Sequence, residues 1–424
     1  MAEPSPNPAA AATRPEHELL LCCARTRMDA ERASRIRVLV GKGLDWAYLL
    51  RTAPPHGMMP LLYWHLKAIC PESVPMAILD HLRDHFSRNL QNNLLLTGEL
   101  LKLLERLEAH GIRAIPYKGP VLAASVYGNL SLRQFRDLDL LVHGGDLPRA
   151  RDLLISMGYR PDVHLSGARE AVRLHSECEI PLARDGGRVV VELHWGITPR
   201  YFSLPLDPGP LWERLGSASL AGKAVPNLSP EDLLVIFCAH GCLHLWERLE
   251  WICGVAELIR AHPGLNWRQV MEQAGTLGAA RMVALGLLLA GDLLGTPVPG
   301  EVVRGAQGDP VAKSLAAQVR ERLFRGVARP PGIVERCFFH LRARERLKDK
   351  VQYCLRIGTT PTDADWALLP LPAFLSFLYY LLRPMRLVGK YGLRPLKTQL
   401  GLAMAQVTRG HTRPRGAARP VHRN

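Results

Sequence analysis

The chain lacks the segments that would direct it into or across a membrane. Its longest late apolar stretch, from Leu368 to Leu382, is interrupted by Pro370 and Pro372 and is shorter than the ~20 residues that span a bilayer. The N-terminus has Pro, Ala and acidic residues where a secretory signal needs a basic start and an apolar run. We therefore expect no transmembrane helix and no signal peptide.

The sequence also lacks the paired cysteine pattern of a disulfide-rich protein. Its nine cysteines are an odd number, and many lie in apolar helical segments, where a free thiol behaves as a small buried hydrophobic group. The cysteines in such segments are Cys238, Cys242, Cys253 and Cys354. This usage indicates a reducing compartment, and we expect a cytoplasmic protein.

Acidic residues are absent from the end of the chain. Ten Lys and Arg residues follow Asp365, whereas no Asp or Glu does, so the net charge of +15 leaves +5 for the first 365 residues (15 − 10). This basic C-terminal arm could contact nucleic acid or an acidic membrane surface, or be a disordered tail without a partner. The run from Trp366 to Leu387 is amphipathic and could lie at a membrane interface or pack into a core.

What is present suits a folded protein of two or three domains, because 424 residues with 47% hydrophobic content can bury a sizeable core. Apolar spacing and composition shifts divide the chain into six segments. These are a disordered leader (1–15), an N-terminal helical region (16–110), an α/β core (111–200), a linker (201–228), a C-terminal helical region (229–400) and a basic disordered tail (401–424). The fold class is α+β, with a small mixed sheet between two helical regions.

Short apolar runs predict the strands of the core. Arg113 to Tyr117 and Leu138 to Val142 are typical of buried strands, and Glu177 to Ala183 and Arg188 to Trp195 flank a turn and predict a hairpin. Beyond the core, Ser229 is a good N-cap before Pro230, and we expect one helix from there to Ala261.

Three acidic residues carry the chemistry that we predict. Asp137 and Asp139 are two apart at the start of a strand, so their side chains face the same side. Carboxylates held this close repel each other unless a cation lies between them, and hard divalent ions prefer oxygen ligands. Glu192 lies among apolar residues on a strand that could be a neighbour of the first. Three acids around two ions would form a phosphoryl-transfer site, although Asp-x-Asp also occurs as ordinary solvated acids.

Basic residues near these acids predict phosphate binding. Lys118 and Gly119 follow a strand at the start of a helix, where free backbone N–H groups favour phosphate. Arg133 and Arg136, directly before the acid pair, add positive charge where a triphosphate would approach. Both arginines could instead be surface residues held in salt bridges.

The order of these motifs resembles the uncharacterised nucleotidyltransferase family, which is related to the polymerase-beta superfamily. The motifs that carry this resemblance are Lys118-Gly119, Tyr127, Arg133, Asp137-x-Asp139 and Glu192-Leu193-His194-Trp195, with Asp45-Trp46 and His56-Gly57 upstream and His240-Gly241, His244, Trp246 and Leu249 to Trp251 downstream. The chain departs from the wider superfamily by having Lys118-Gly119 in place of Gly-Ser, and from many family members by having Gly254 in place of Asp.

The resemblance implies a metal-dependent enzyme that transfers a nucleoside monophosphate from an NTP to a hydroxyl of an unidentified acceptor. It implies that Asp137 and Asp139 bind two Mg²⁺ ions, with Mn²⁺ as an alternative, and that Glu192 helps to orient the acceptor. We expect ATP as the nucleotide. His194, His240 and His244 are candidates for the substrate side. A zinc site at His240 and His244 is not expected, because these residues and the nearby cysteines share one helix.

Two other functions remain open from the sequence. The chain could be a catalytically silent module that binds a nucleotide or a partner and keeps the acids for structure. Alternatively, the basic arm could be the functional element and bind RNA or a membrane surface, in which case salt would weaken the association.

Overall fold

The computed structural model describes residues 14–161, 172, 174, 176–204, 209–324, 331–369 and 373–391. Most of the predicted leader and all of the tail at 401–424 lie outside these residues. The chain forms two compact units. The first contains the described residues of 1–165 and 173–353, and the second contains those of 166–172 and 354–424.

The first unit begins with a helical region, as the apolar spacing predicted. Its core includes Leu19, Ile36 and Leu62, all fully buried. The side chain of Asp29 accepts a hydrogen bond from Arg32 N (2.8 Å) and caps the second helix. The helices are α1 (Pro15–Cys23), α2 (Ala30–Gly41), α3 (Trp46–Thr52), α4 (Met59–Ile69) and α5 (Met76–Ala109).

A mixed five-stranded sheet follows and confirms the α+β class. Its strands are β1 (Ala114–Pro116), β2 (Asp137–Val142), β3 (Arg160–Pro161), β4 (Glu179–Arg184) and β5 (Val189–His194), in the spatial order β1-β2-β5-β4-β3. Only β2 and β5 pair in parallel, whereas the other neighbours are antiparallel. The predicted strands and the hairpin of β4 and β5 are confirmed. Helices α6 (Gly119–Ser125) and α7 (Leu147–Ser156) connect the strands.

The two-residue period of the central strands separates their apolar and polar side chains. Leu138 and Leu140 of β2, with Val191 and Leu193 of β5, pack in a hydrophobic cluster that also contains Leu100 of α5. Alternate positions on the same strands therefore point to the opposite face of the sheet. That face receives the acidic residues.

Residues 201–228, expected as a linker, have secondary structure of their own. They contain helix α8 (Gly209–Glu213) and a hairpin of β6 (Gly216–Leu220) and β7 (Lys223–Asn227). Leu220 of this hairpin is fully buried in the same hydrophobic cluster as the central strands. The hairpin thus packs on the core.

The single helix predicted from Ser229 to Ala261 is wrong. The structure has two helices, α9 (Pro230–Leu243) and α10 (Leu249–Ala261). Between them Leu245 and Trp246 adopt left-handed backbone conformations, with φ of 55° and 54°. The tertiary reason is the Trp246 ring, which is fully buried.

Further helices complete the described part of the first unit. They are α11 (Trp267–Leu277), α12 (Ala280–Leu294), α13 (Gly300–Gly308), α14 (Pro310–Leu323), α15 (Ile333–Ala343) and α16 (Leu347–Thr359), the last of which continues past residue 353. All nine cysteines are free thiols.

The second unit contains α17 (Asp363–Leu368) and α18 (Tyr379–Tyr391). The Asp365 carboxylate holds these helices together, since it accepts a hydrogen bond from Thr362 Oγ1 (2.7 Å) and pairs with Arg383 Nη1 (3.0 Å). Part of the amphipathic run from Trp366 to Leu387 is exposed, including Met385 at 71%. No helix in the described ranges combines the length and apolar character that crossing a bilayer requires.

Candidate active site

The register of β2 and β5 brings the predicted acids together. Asp139 lies directly opposite Glu192 in the parallel pair, and Asp137 lies one pleat earlier on β2. This confirms the expectation that the two acid-bearing strands are neighbours. A cleft of about 440 Å³ opens over these side chains, and all three acids line it.

His194 lies among the carboxylates, because it follows Glu192 by two positions on the same strand. Ligand atoms of Asp139, Glu192 and His194 all lie within 4.8 Å of one another. His194 Nε2 is 3.3 Å from Asp139 Oδ1 and 3.6 Å from Glu192 Oε2. The histidine expected on the substrate side therefore also contacts the acid cluster.

Lys118 neutralises Asp139 in this structure. Its Nζ donates a hydrogen bond to Asp139 Oδ1 at 2.8 Å. Burial alone would raise the pKa of Asp139, but the charge of Lys118 and the hydrogen bond from His194 more than offset it and hold that pKa well below its usual range. Burial likewise opposes the charge on Lys118, yet the Asp139 charge raises the pKa of Lys118.

Gly119 starts the seven-residue helix α6 directly after Lys118. Its backbone has a φ of +50°, a conformation that favours glycine, and a Cβ here would lie 3.4 Å from the carbonyl oxygen of Asp137. The glycine thus lets the Lys118 segment pass close to the first residue of β2.

Within the described ranges, no ion pair neutralises Asp137 in the way that Lys118 neutralises Asp139. Burial raises the pKa of Asp137 from 3.8 to about 6, and repulsion from Asp139 and Glu192 adds to this shift against the smaller opposing effect of Lys118. An added cation would therefore favour the ionised form of Asp137.

Three asparagines of α5 hold the loop that carries the arginines. Asn93 Nδ2 donates to the carbonyl oxygen of Arg133 (2.8 Å), and Asn89 Nδ2 donates to the same oxygen (3.2 Å). Asn92 Nδ2 donates to the carbonyl oxygen of Phe135 (3.2 Å). Sequence reasoning missed these residues, because side-chain hydrogen bonds to a loop 40 or more residues further along the chain leave no local sequence pattern. Their effect is to fix the path of the chain into β2.

Both predicted phosphate-binding arginines line the cleft. Arg136 is exposed, whereas Arg133 is partly buried. Within the described part of the chain, Arg133 Nη1 is buried and has no hydrogen-bond partner. A guanidinium N–H in this state can still donate a hydrogen bond to an anionic ligand.

His240, His244 and Trp251 form an opposite wall of the cleft. The two imidazole centroids are 4.5 Å apart and lie 5.5 Å and 5.1 Å from the Trp251 ring, respectively. Burial lowers the pKa of His240 well below its usual value and the pKa of His244 to about 4. The positive charge of Lys118 is the next largest cause for both residues. Both imidazoles are therefore neutral at pH 7.

The His56-Gly57 motif is explained by a turn that docks at the start of α10. His56 Nδ1 accepts from Leu249 N (3.2 Å), and the His56 carbonyl oxygen accepts from Glu250 N (3.1 Å). Gly57 has a φ of +69°, and a Cβ on it would overlap the Glu250 side chain. Only glycine can therefore bring this turn against the wall that carries Trp251.

The cleft contains residues that sequence reasoning missed. Glu179 is opposite His194 in the pairing of β4 with β5, and its Oε2 is 3.3 Å from His194 Nδ1. Burial raises the pKa of Glu179. Cys178 also lines the cleft. Glu177, two residues before the first residue of β4, also lines the cleft, and the Glu177-x-Glu179 spacing was a usable signal for a second acidic row.

No curated protein and no solved structure matches the chain. The family described as uncharacterised nucleotidyltransferase matches residues 42–295, a range that includes every residue of the cleft. The match covers more than half of the chain. The chain therefore belongs to the uncharacterised nucleotidyltransferase family.

Proposed function

We propose that the chain transfers a nucleoside monophosphate from an NTP, with ATP as the expected donor, to a hydroxyl group of an acceptor in the cytoplasm. Family membership supports nucleotidyl transfer in general. The observation that carries the proposal is the parallel register that sets Asp139 opposite Glu192, with Asp137 on the same face. This arrangement provides the three carboxylates that a two-ion phosphoryl-transfer site requires.

The donor set fits divalent cations. Oxygen ligands from Asp137, Asp139 and Glu192 suit Mg²⁺, with Mn²⁺ as the alternative. The raised pKa of Asp137, at about 6, supports this assignment, because a bound cation would offset both the burial and the repulsion from Asp139 and Glu192 that disfavour its charge. When bound, such ions supply neutralisation of the phosphates and activation of the acceptor hydroxyl.

The basic residues bind and orient the triphosphate. Arg133 offers an unpartnered buried N–H, and Arg136 adds charge from the exposed edge of the cleft. Lys118 is paired with Asp139 in the structure, and we expect its ammonium group to turn to the phosphates when a cation takes its place. Their role is thus to hold the nucleotide so that its α-phosphorus faces the acceptor.

The acceptor side is formed by Glu192 and the histidine wall. Glu192 would fix the acceptor hydroxyl in line with the bond to the leaving pyrophosphate. His240 and His244 are neutral, so each ring offers one hydrogen-bond donor and one acceptor nitrogen. Such groups suit a hydroxyl-bearing acceptor that is not itself strongly anionic.

The direct test uses NTPs labelled in the α-phosphate, Mg²⁺ and a cell extract, followed by identification of the molecule that gains the label. Asp139→Asn should abolish the transfer without unfolding the protein, because it removes one ligand charge beside Lys118. Asp152→Asn is the matched control, since Asp152 is 68% exposed on α7. Equal labelling by the Asp139→Asn variant and the wild type would defeat the mechanism.

A catalytically silent nucleotide-binding module is the second candidate, and one observation favours it. Asp139 already has a cation partner in Lys118, at 2.8 Å, so the charge of this carboxylate is balanced without a metal ion. Calorimetry with Mg²⁺ and each NTP, combined with the labelling assay, separates the two functions. Binding without label transfer to any acceptor would support the silent module.

A further inference from the structure

A second group of metal-binding side chains lies at the other ring nitrogen of His194. Cys178, Glu179 and His194 each present a ligand atom within 4.8 Å of the other two. All three residues line the cleft, so an ion from solution can reach them. This group contains a thiol, whereas the Asp139 and Glu192 site does not.

The distances suit a tetrahedral ion. With bonds of roughly 2.3 Å to sulfur and about 2.0–2.2 Å to nitrogen and oxygen, neighbouring ligand atoms in such a site lie ~3.3–3.7 Å apart. Glu179 Oε2 is 3.3 Å from His194 Nδ1, and Cys178 Sγ is 4.0 Å from Glu179 Oε2. A movement of a few tenths of an ångström by the cysteine side chain brings its sulfur to a tetrahedral separation from Glu179 Oε2.

The surroundings of His194 complete this arrangement. If His194 Nδ1 binds a metal, His194 Nε2 carries the ring proton. This Nε2 atom lies 3.3 Å from Asp139 Oδ1 and 3.6 Å from Glu192 Oε2. A metal-bound histidine typically donates its other ring N–H to a carboxylate, which fixes the orientation of the ring. The acids proposed for nucleotide chemistry would thus hold His194 in position for a second metal site.

We propose that Cys178, Glu179 and His194 form a thiolate-containing site for a borderline divalent cation such as Zn²⁺. Sulfur and imidazole ligands select this class of ion over Mg²⁺, which prefers oxygen. The thiol proton of Cys178 leaves to solvent as the metal–sulfur bond forms. Three protein ligands leave a fourth position open to the cleft. The proposal does not depend on nucleotidyl transfer, because it concerns binding of the metal alone.

The test is a titration of the chelator-treated full-length protein with Co²⁺, which substitutes for Zn²⁺ and reports thiolate coordination by a near-ultraviolet sulfur-to-metal charge-transfer band. The wild-type protein should show the band, and Zn²⁺ should remove it by displacement. Cys178→Ser should lose the band. Cys354→Ser is the matched control, because Cys354 is an exposed free thiol elsewhere in the chain, and this variant should keep the band.

A second variant protects the test against misfolding of Cys178→Ser. Glu179→Gln changes a side chain that is 40% exposed and should weaken Zn²⁺ binding by about 10-fold or more while the thiol is kept. A band of undiminished intensity in Cys178→Ser, or no band in the wild type, would overturn the proposal. Asp139→Asn keeps all three proposed ligands and should still give the band, at higher Co²⁺ concentrations because His194 loses a carboxylate partner, so failure of the proposed catalytic function leaves this test intact.

Discussion

Replacing Asp137 by Asn should stabilise the metal-free protein at neutral pH, although it removes a residue that we assign to the active site. Burial and the nearby charges of Asp139 and Glu192 disfavour the ionised form of Asp137 and raise its pKa from 3.8 to about 6. The Asn side chain has nearly the same shape but no charge. The substitution therefore removes repulsion that the folded protein would otherwise retain until a cation binds.

The magnitude follows from the pKa difference. A change from 3.8 to about 6 corresponds to an upper limit of about 3 kcal/mol, at 1.36 kcal/mol for each unit of pKa. Because the cleft is open to solvent, which screens the charges, we expect about 1–2 kcal/mol in practice. For a unit of roughly 350 residues, with an unfolding entropy of about 2.1 cal/mol/K per residue, that stabilisation raises the melting temperature by about 1–3 °C.

The pH dependence has a defined sign. As the pH rises, the Asp137 carboxyl of the unfolded chain ionises first, near its ordinary pKa of 3.8, and that of the folded protein ionises near pH 6. Between these values the folded state binds more protons, so this group reduces stability as the pH increases. The advantage of Asp137→Asn should therefore be small near pH 4, grow as the pH rises to about 6 and level off near pH 7.

Melting temperatures of the wild type and the variant, measured in chelator from pH 4 to pH 8, test this expectation. Asp152→Asn should change stability by less than about 0.5 kcal/mol at any pH, because its side chain is exposed. Adding Mg²⁺ should raise the melting temperature of the wild type more than that of Asp137→Asn. Coincident melting curves for the two proteins at pH 7 would refute the raised pKa that burial and the neighbouring acids give to Asp137.

Three further substitutions test the supports of the cleft. Asn93→Ala removes a hydrogen bond to the Arg133 carbonyl oxygen. The substitution should lower the free energy of unfolding by about 1–3 kcal/mol, measured by urea denaturation, and should weaken NTP binding, measured by calorimetry. Unchanged NTP affinity would contradict the role of the loop. Gly241→Ala should destabilise the protein by about 1–3 kcal/mol, because its Cβ would lie 2.5 Å from the Trp246 ring. Gly254→Ala is the matched control, because a Cβ on Gly254 would have no atom within 4 Å, and this variant should raise stability by about 0.5–1 kcal/mol. Equal melting temperatures for the two glycine variants would argue against the packing reason.

The strands were predictable because the signal is local. Apolar runs at Arg113 to Tyr117 and Leu138 to Val142 predicted strands that the structure has as Ala114–Pro116 and Asp137–Val142. The turn residues Asp185-Gly186-Gly187 predicted the hairpin of β4 and β5. This signal is also local, because turn residues act through their own backbone conformations. The same local reasoning failed between Leu243 and Leu249, where apolar spacing continues through a break that the burial of Trp246 imposes.

Much of the candidate site could also be foreseen, but its connections could not. The sequence indicated that Asp137 and Asp139 share a face, and that Glu192 and basic residues belong near them. It did not indicate that Lys118 pairs with Asp139 or that Glu179 lies against His194. These contacts join positions 15 to 21 residues apart, and the pairing of strands decides them.

The sequence by itself determined which side chains lie together within one element, because the two-residue period of a strand is a property of the local backbone. It was enough for the α+β class, the acid pair on β2 and the presence of Glu192 on a second strand. The tertiary structure alone decided the parallel register of β2 with β5, the placement of Asn93 under the arginine loop and the position of Cys178 beside His194. Each of these depends on which elements pack against one another, and that choice is made by the burial of the whole core.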